Sequence, residues 1–216
     1  MALLKPEDAA KLRQAFAKQL KQDVRLLVFT QEFECETCKI TRELAEEVAT
    51  LSEHIKVEVF DFVKDPDTVK LYGITKIPAV AVVGERDYGI RFYGTPAGYE
   101  FTALIEDILD ISRGNPRLTP EIQAVLDKVK KPVHIQVLVS PTCPYCPRAV
   151  RIAHRFAMAN ENIKADMVEI AEFPHLAQKY NVQGVPRTII NDEFDLLGLQ
   201  PEEAVLEKML EAIRPN

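Results

Sequence analysis

At 216 residues the chain has room for one large domain or two of about 100 residues each, and 47% apolar residues suffice for a core in either case. A net charge of −6 argues against a nucleic-acid binder, which carries a basic stripe. No stretch approaches the roughly 20 apolar residues of a membrane span, and charges interrupt the start, MALLKPEDAAKLRQAF, so no membrane contact and a cytoplasmic protein are the expectation.

Residues 5–22 have helical spacing, with Pro6 in the first turn and Ala10, Leu12, Phe16 and Leu20 as apolar points. Arg25–Thr30 is a short apolar run, the mark of a buried strand, and Cys38 to Leu51 returns to helical spacing. Ile55–Val63 alternates as a second strand, Pro66–Leu71 forms a short helix, and Pro78–Val83 a third strand. A turn at Gly84, a strand near Ile90–Tyr93 and a helix over 97–112 complete a first unit. The stretch from Ser112 to Arg117 holds turn residues without apolar periodicity, which places a boundary there and gives units 1–115 and 116–216.

The same order then recurs. Thr119-Pro-Glu-Ile-Gln opens a helix to about Lys130, Val133–Val139 is a strand, and Cys143–Asn160 a helix. Ile163–Ile170 is a strand, Pro174–Tyr180 a short helix, Pro186–Ile190 and Phe194–Leu197 a hairpin, and Pro201–Ile213 the last helix. The repeat has a fixed offset: Cys35 to Cys143, Tyr72 to Tyr180 and Pro78 to Pro186 are each 108 residues.

All four cysteines lie in two C-x-x-C pairs, Cys35-Glu-Thr-Cys38 and Cys143-Pro-Tyr-Cys146, each where an apolar strand gives way to a helix. Free amides and the dipole at a helix start stabilise an anion, so the first cysteine of each pair is expected to be a nucleophilic thiolate. A bridge closing so small a loop constrains the unfolded chain very little, which suits it to being made and broken rather than to holding the fold. Zinc is the rival for four cysteines, but ribbon pairs lie within about 20 residues of each other on knuckle turns. Here each pair has its own fold unit. The histidines do not rescue a metal site or a Cys–His nucleophile: His154 lies along the helix about 16 Å from Cys143, and His54, His134 and His175 have no motif around them. Tyr88, Phe92, Tyr93, Tyr99 and Phe101 read as packing. No G-x-G-x-x-G or P-loop occurs, so no nucleotide cofactor is expected and the redox-active groups are the disulfides themselves.

A strand, C-x-x-C on a helix, then an apolar residue and Pro about forty residues later resembles the thioredoxin/glutaredoxin superfamily. Tyr72-Gly-Ile-Thr-Lys-Ile-Pro78 is similar to the stretch before the thioredoxin cis-proline, and Cys143-Pro-Tyr-Cys146 to the glutaredoxin tetrapeptide. Two such units resemble the protein disulfide oxidoreductases of thermophiles. The resemblance covers essentially the whole chain. It implies an α/β fold of two tandem thioredoxin-like units, each a central mixed four-stranded sheet flanked by helices with an extra N-terminal helix.

Carried over by motif, the resemblance makes Cys35 and Cys143 the attacking thiols and Cys38 and Cys146 the resolving ones. Pro78 and Pro186 would be cis and face the sulfurs, and Ile77 and Val185 would offer backbone hydrogen bonds to an extended substrate. Two features depart from thioredoxin: Glu34 and Thr142 stand where Trp precedes the motif, and Phe29 and Val137 where a strand carries a buried acid. Asp61 and Glu169, again 108 apart, are the candidates for proton transfer, against the blander reading of solvated strand ends. Glu32, Glu34 and Glu36 disfavour a thiolate at the first pair, whereas Arg148 and Arg151 follow the second, so Cys143 is expected to have the lower pKa. The activity implied is reduction, formation or isomerisation of protein disulfides, with protein dithiols and disulfides as substrates. Electrons would come from a thioredoxin-reductase-like flavoprotein or a small thiol. A second reading is an electron relay resembling the N-terminal domain of the flavoprotein that reduces alkyl-hydroperoxide peroxiredoxin, with peroxiredoxin as partner. A third is a binding or chaperone module. A homodimer through the extra helices is compatible with the sequence.

Overall fold

The computed structural model describes residues 3–214. Its first half runs α1 (Pro6–Gln19), β1 (Val24–Thr30), α2 (Cys38–Ala49), β2 (Ile55–Asp61), α3 (Pro66–Leu71), β3 (Ala79–Val83), β4 (Asp87–Tyr93) and α4 (Glu100–Arg113). The second runs α5 (Pro120–Leu126), β5 (Val133–Val139), α6 (Cys146–Ala159), β6 (Ile163–Glu169), α7 (Pro174–Lys179), β7 (Arg187–Ile190), β8 (Phe194–Leu197) and α8 (Glu202–Ala212). The expected elements are all present. Their ends differ where turns intervene: α6 opens at Cys146 rather than Cys143, and α5 stops at Leu126 rather than Lys130.

Each half supplies four strands, but the two sets do not stay apart. They form one eight-stranded sheet in the order β2-β1-β3-β4-β6-β5-β7-β8. The seam is a parallel pairing of β4 with β6, from Ile90 opposite Ala165 to Tyr93 opposite Val168. Strands β1, β2, β4, β5, β6 and β8 therefore all point the same way, and only β3 and β7 run against them. Consequently the ends of β1 and β5, from which the two cysteine motifs emerge, lie on one rim of the sheet.

Alternation along the strands divides the core in two. Leu26, Val28, Val80, Val82, Ile90, Phe92, Ile135, Val137, Ala165 and Met167 face the side covered by the longer helices. Phe16, wholly buried, anchors α1 there. Leu27, Phe29, Ala79, Ala81, Tyr93, Leu138 and Val168 face the side covered by α3 and α7. Of the aromatic group read as packing, Phe92 and Tyr93 are fully buried and Tyr88 and Phe101 pack on the core, but Tyr99 is half exposed.

Helices α4 and α6, one from each unit, meet along a buried ionic seam. Arg151 pairs with Asp107, Asp110 and Glu106, and His154 Nδ1 lies 2.6 Å from Asp107 Oδ2. Burial pulls His154 down to about 3, so the ring is neutral, and its edge packs on Phe92 with centroids 5.0 Å apart. Charged residues placed in a desolvated contact must find partners, and here they find them across the unit boundary.

Candidate active site

Both cysteine pairs are disulfide-bonded. In each, the first sulfur sits in the turn ahead of the helix and the second opens the helix, Cys38 in α2 and Cys146 in α6. The turn ahead of Cys35 passes through Glu34, whose φ is +57°. Cys38 and Cys146 are buried and Cys35 is half-buried, whereas Cys143 is 8% exposed, so the sulfur expected to attack at the second centre is the more covered of the two leading cysteines.

Both motif prolines have the isomer the resemblance implies, and the loop of the second unit approaches its sulfur. Ile77–Pro78 and Val185–Pro186 are both cis. The Val185 carbonyl oxygen stands 3.7 Å from Cys143 Sγ. Each proline carbonyl is bound by the glycine that ends the neighbouring strand, Pro78 by Gly94 N–H at 2.9 Å and Pro186 by Gly198 N–H at 2.8 Å.

The charges divide differently from the sequence expectation. Glu32, Glu34 and Glu36 are exposed or half-exposed around the first pair, and Arg148 is exposed beside the second. Arg151, however, points away into the ionic seam, where burial pulls it down to about 10 and Asp107 and Asp110 neutralise it. It lends the second sulfurs little field.

Asp61 and Cys35 and Cys38 line one cleft of about 640 Å³, together with Thr30, Gln31 and Lys39. The Asp61 carboxylate accepts from the Lys64 and Val63 amides at 2.9 and 3.0 Å, and these bonds, with Lys64 Nζ at 3.4 Å, hold it below the usual carboxylate range. Glu169, its counterpart, is buried at the end of β6 and accepts from the Ala171 and Glu172 amides at 3.1 and 2.8 Å.

A further acid has no counterpart in the sequence pattern. Glu100 begins α4, is fully buried, and has no hydrogen-bond partner for either oxygen among the described residues. With nothing to offset burial, its carboxyl is pushed up to about 8. Helix α4 starts against the second motif: the Tyr99 amide donates to the Pro141 carbonyl at 3.1 Å, two residues ahead of Cys143. Gly98 permits that approach, since its φ is +60° and a Cβ there would stand 2.3 Å from the Pro141 oxygen. From Glu100 the same helix runs on to Asp107 and Asp110, which meet α6. No signal in one sequence marks Glu100, because a helix-start Glu is ordinarily a solvated one.

Fold and site together define a thioredoxin-fold thiol–disulfide oxidoreductase with two redox-active disulfides. Residues 133–211 match the thioredoxin domain family. A protein disulfide oxidoreductase from Aeropyrum pernix is 31% identical, superimposes with a TM-score of 0.91, and matches over 98% of this chain and 94% of its own. The chain belongs to the protein disulfide oxidoreductases built of tandem thioredoxin-like units. The N-terminal domain of the alkylhydroperoxide reductase AhpF from Enterococcus faecalis is 27% identical with a TM-score of 0.89, over 95% of this chain and 99% of that domain. A Bacillus subtilis NADH dehydrogenase is 31% identical over 82% of the chain, and a Staphylococcus epidermidis alkyl hydroperoxide reductase 29% over 78%. The chain spans about a third of the length of these curated relatives.

Among the described residues no helix is long and apolar enough to cross a membrane, and no cluster of three or more His, Cys, Asp or Glu could hold a metal ion.

Proposed function

We propose that the chain exchanges disulfides with other proteins at two centres and draws its electrons from an external flavoprotein reductase or a small thiol. At the second centre, reduced Cys143 attacks a substrate disulfide as thiolate, forming a mixed disulfide and releasing one substrate thiolate. Cys146 then attacks Cys143 Sγ, releasing the second substrate thiolate and leaving the Cys143–Cys146 disulfide. Two electrons pass to the substrate, and the protons of the two enzyme thiols end on the substrate thiols. Cys35 and Cys38 run the same steps at the first centre. Reversal oxidises or isomerises a substrate.

The substrate backbone lies along Ile77–Pro78 or Val185–Pro186, pairing as an added strand. The resolving thiol must lose a proton before it attacks. Asp61 takes that proton at the first centre through its shared cleft. Glu169 is the repeat-related candidate at the second, but amides occupy both its oxygens. Glu100, buried without a partner on the helix that starts beside that motif and pushed up to about 8, is matched to a thiol and takes that proton once its own has left. The observation that carries the reading is the Val185 carbonyl at 3.7 Å from Cys143 Sγ, which sets the sulfur beside the loop that would pair with a substrate.

Insulin reduction by dithiothreitol tests it. The chain is expected to accelerate precipitation, Cys35→Ser and Cys143→Ser variants each to retain one active centre, and the double variant to lose activity. An equally active double variant would refute the reading. The likeness to the hydroperoxide reductase AhpF favours a second role, electron delivery to a peroxiredoxin, which a coupled peroxide assay with that partner would detect.

A further inference from the structure

The first centre is walled by a residue of the second unit. Glu172 follows β6 and reaches across the seam to the start of α2. Its Oε2 accepts from the hydroxyl of Thr37, the residue between Glu36 and Cys38 inside the first motif. Its Oε1 accepts from the Thr95 amide at 2.6 Å. Thr95 follows Gly94, whose own amide holds the Pro78 carbonyl at 2.9 Å. A second link closes the ring: the Thr41 hydroxyl of α2 lies 2.8 Å from the Thr95 hydroxyl and donates to the Thr37 carbonyl at 2.9 Å. One carboxylate thus ties the cysteine turn to the strand end that carries the proline loop. Gly94 records how close the contact is. Its φ is +90°, and a Cβ there would stand 2.8 Å from Glu169 Cβ and 3.0 Å from Glu172 Oε1.

Among the described residues no carboxylate makes such a tie at the second centre. The repeat-related partner of Thr37 is Tyr145, which is 60% exposed, and that of Glu172 is Lys64, which pairs with Asp61.

We propose that Glu172 is a positioning residue of the first redox centre, supplied by the second unit, and that its charge makes the Cys35–Cys38 pair the more reducing of the two. This rests on the reading of that pair as redox-active. The other charged groups about the motif are Glu32, Glu34, Glu36, Lys39, Arg42, Asp61, Lys64 and Asp65, with Glu169 behind Glu172, so Glu172 joins a net negative surround. A negative charge hydrogen-bonded to the turn disfavours the Cys35 thiolate and so favours the disulfide over the reduced pair. Its removal acts in the opposite sense.

The test uses the full chain with Cys143 and Cys146 replaced by Ser, so that only the first centre exchanges. Equilibrium with a glutathione series and thiol alkylation against pH are measured with and without Glu172→Gln. The Gln variant can keep the Thr37 hydrogen bond but carries no charge. The equilibrium constant is expected to move about three- to tenfold toward the dithiol, or about 15 to 30 mV for a two-electron couple, and the Cys35 alkylation midpoint to fall. Raised salt is expected to narrow the gap between parent and variant. Identical constants and midpoints would overturn the inference. If Glu172→Gln does not fold, Thr37→Val releases the tie from the other side. Its expected result is a shifted first-centre constant, and an unshifted one overturns the inference equally. Failure of the parent to exchange with glutathione at all would instead remove the underlying reading.

Discussion

Replacing Glu100 by Gln isolates a single buried ionisation. Burial lifts this carboxyl from an ordinary 4.5 to about 8, so it stays protonated in the folded protein through the range where the unfolded chain ionises. The folded pKa is raised, so the stability linked to it is fully present below about pH 4.5 and is lost as pH climbs to about 8. Within that window the wild type loses about 1.4 kcal/mol per pH unit that the Gln variant keeps. The loss reaches about 3 kcal/mol at pH 7 and about 5 kcal/mol above pH 8, as upper bounds that any water reaching the carboxylate reduces. Against this, the buried amide brings unpaired polar atoms at a cost of about 1–3 kcal/mol that does not vary with pH. The variant is therefore expected to be less stable than wild type near pH 4.5 and more stable near pH 8, with the curves crossing between. Urea unfolding of both oxidised proteins across about pH 4.5 to 8 measures the difference directly. A stability difference that does not change with pH would refute the reasoning, since it would mean Glu100 ionises alike in both states.

Three further predictions concern the seam and the sulfurs. Arg151→Ala leaves Asp107 buried beside only the neutral His154, while Asp110 keeps Arg113 and Arg117, and is expected to cost about 3–5 kcal/mol in urea unfolding; a loss under about 1 kcal/mol would mean that Asp107 does not depend on Arg151 for its charge. Gly98→Ala forces a Cβ onto the Pro141 carbonyl at positive φ, with an expected loss of about 1–3 kcal/mol. It should also slow insulin reduction in the Cys35→Ser background while sparing the Cys143→Ser background, and equal slowing in both would count against it. In single-centre variants Cys143 is expected to alkylate with a lower pH midpoint than Cys35, because the first centre faces Glu32, Glu34, Glu36 and Glu172 while Arg148 stands by the second. Equal midpoints would sink that claim.

What could be read in advance was whatever repeats or follows a period. The 108-residue offset, the strand–motif–helix order and both prolines carried their meaning in one dimension, and the two X-Pro bonds are cis as the motif implied. Contacts between the units were not legible. Ile90 and Phe92 alternate as any half-buried strand does, and nothing in that alternation names β6 as the neighbour. Arg151 sits one turn past the second motif, which suggests a charge for the sulfurs, but its side chain enters the contact with α4. Glu100 and Glu172 look like ordinary surface acids in the sequence. Each acquires its place only when the other unit is docked, because burial and hydrogen-bond partners across a seam leave no local pattern.

The parallel seam between β4 and β6 sets the spacing of the two centres. Both motifs open on the same rim, and four strand steps separate β1 from β5, or roughly 19 Å before twist. A sheet that runs unbroken across the boundary cannot fold its halves together, so the disulfides cannot trade electrons sulfur to sulfur within one molecule. Under the proposed function, what they share is a client. A polypeptide held at one centre by a mixed disulfide is tethered within reach of the other, where a second thiol roughly six extended residues along the chain meets an effective concentration in the millimolar range.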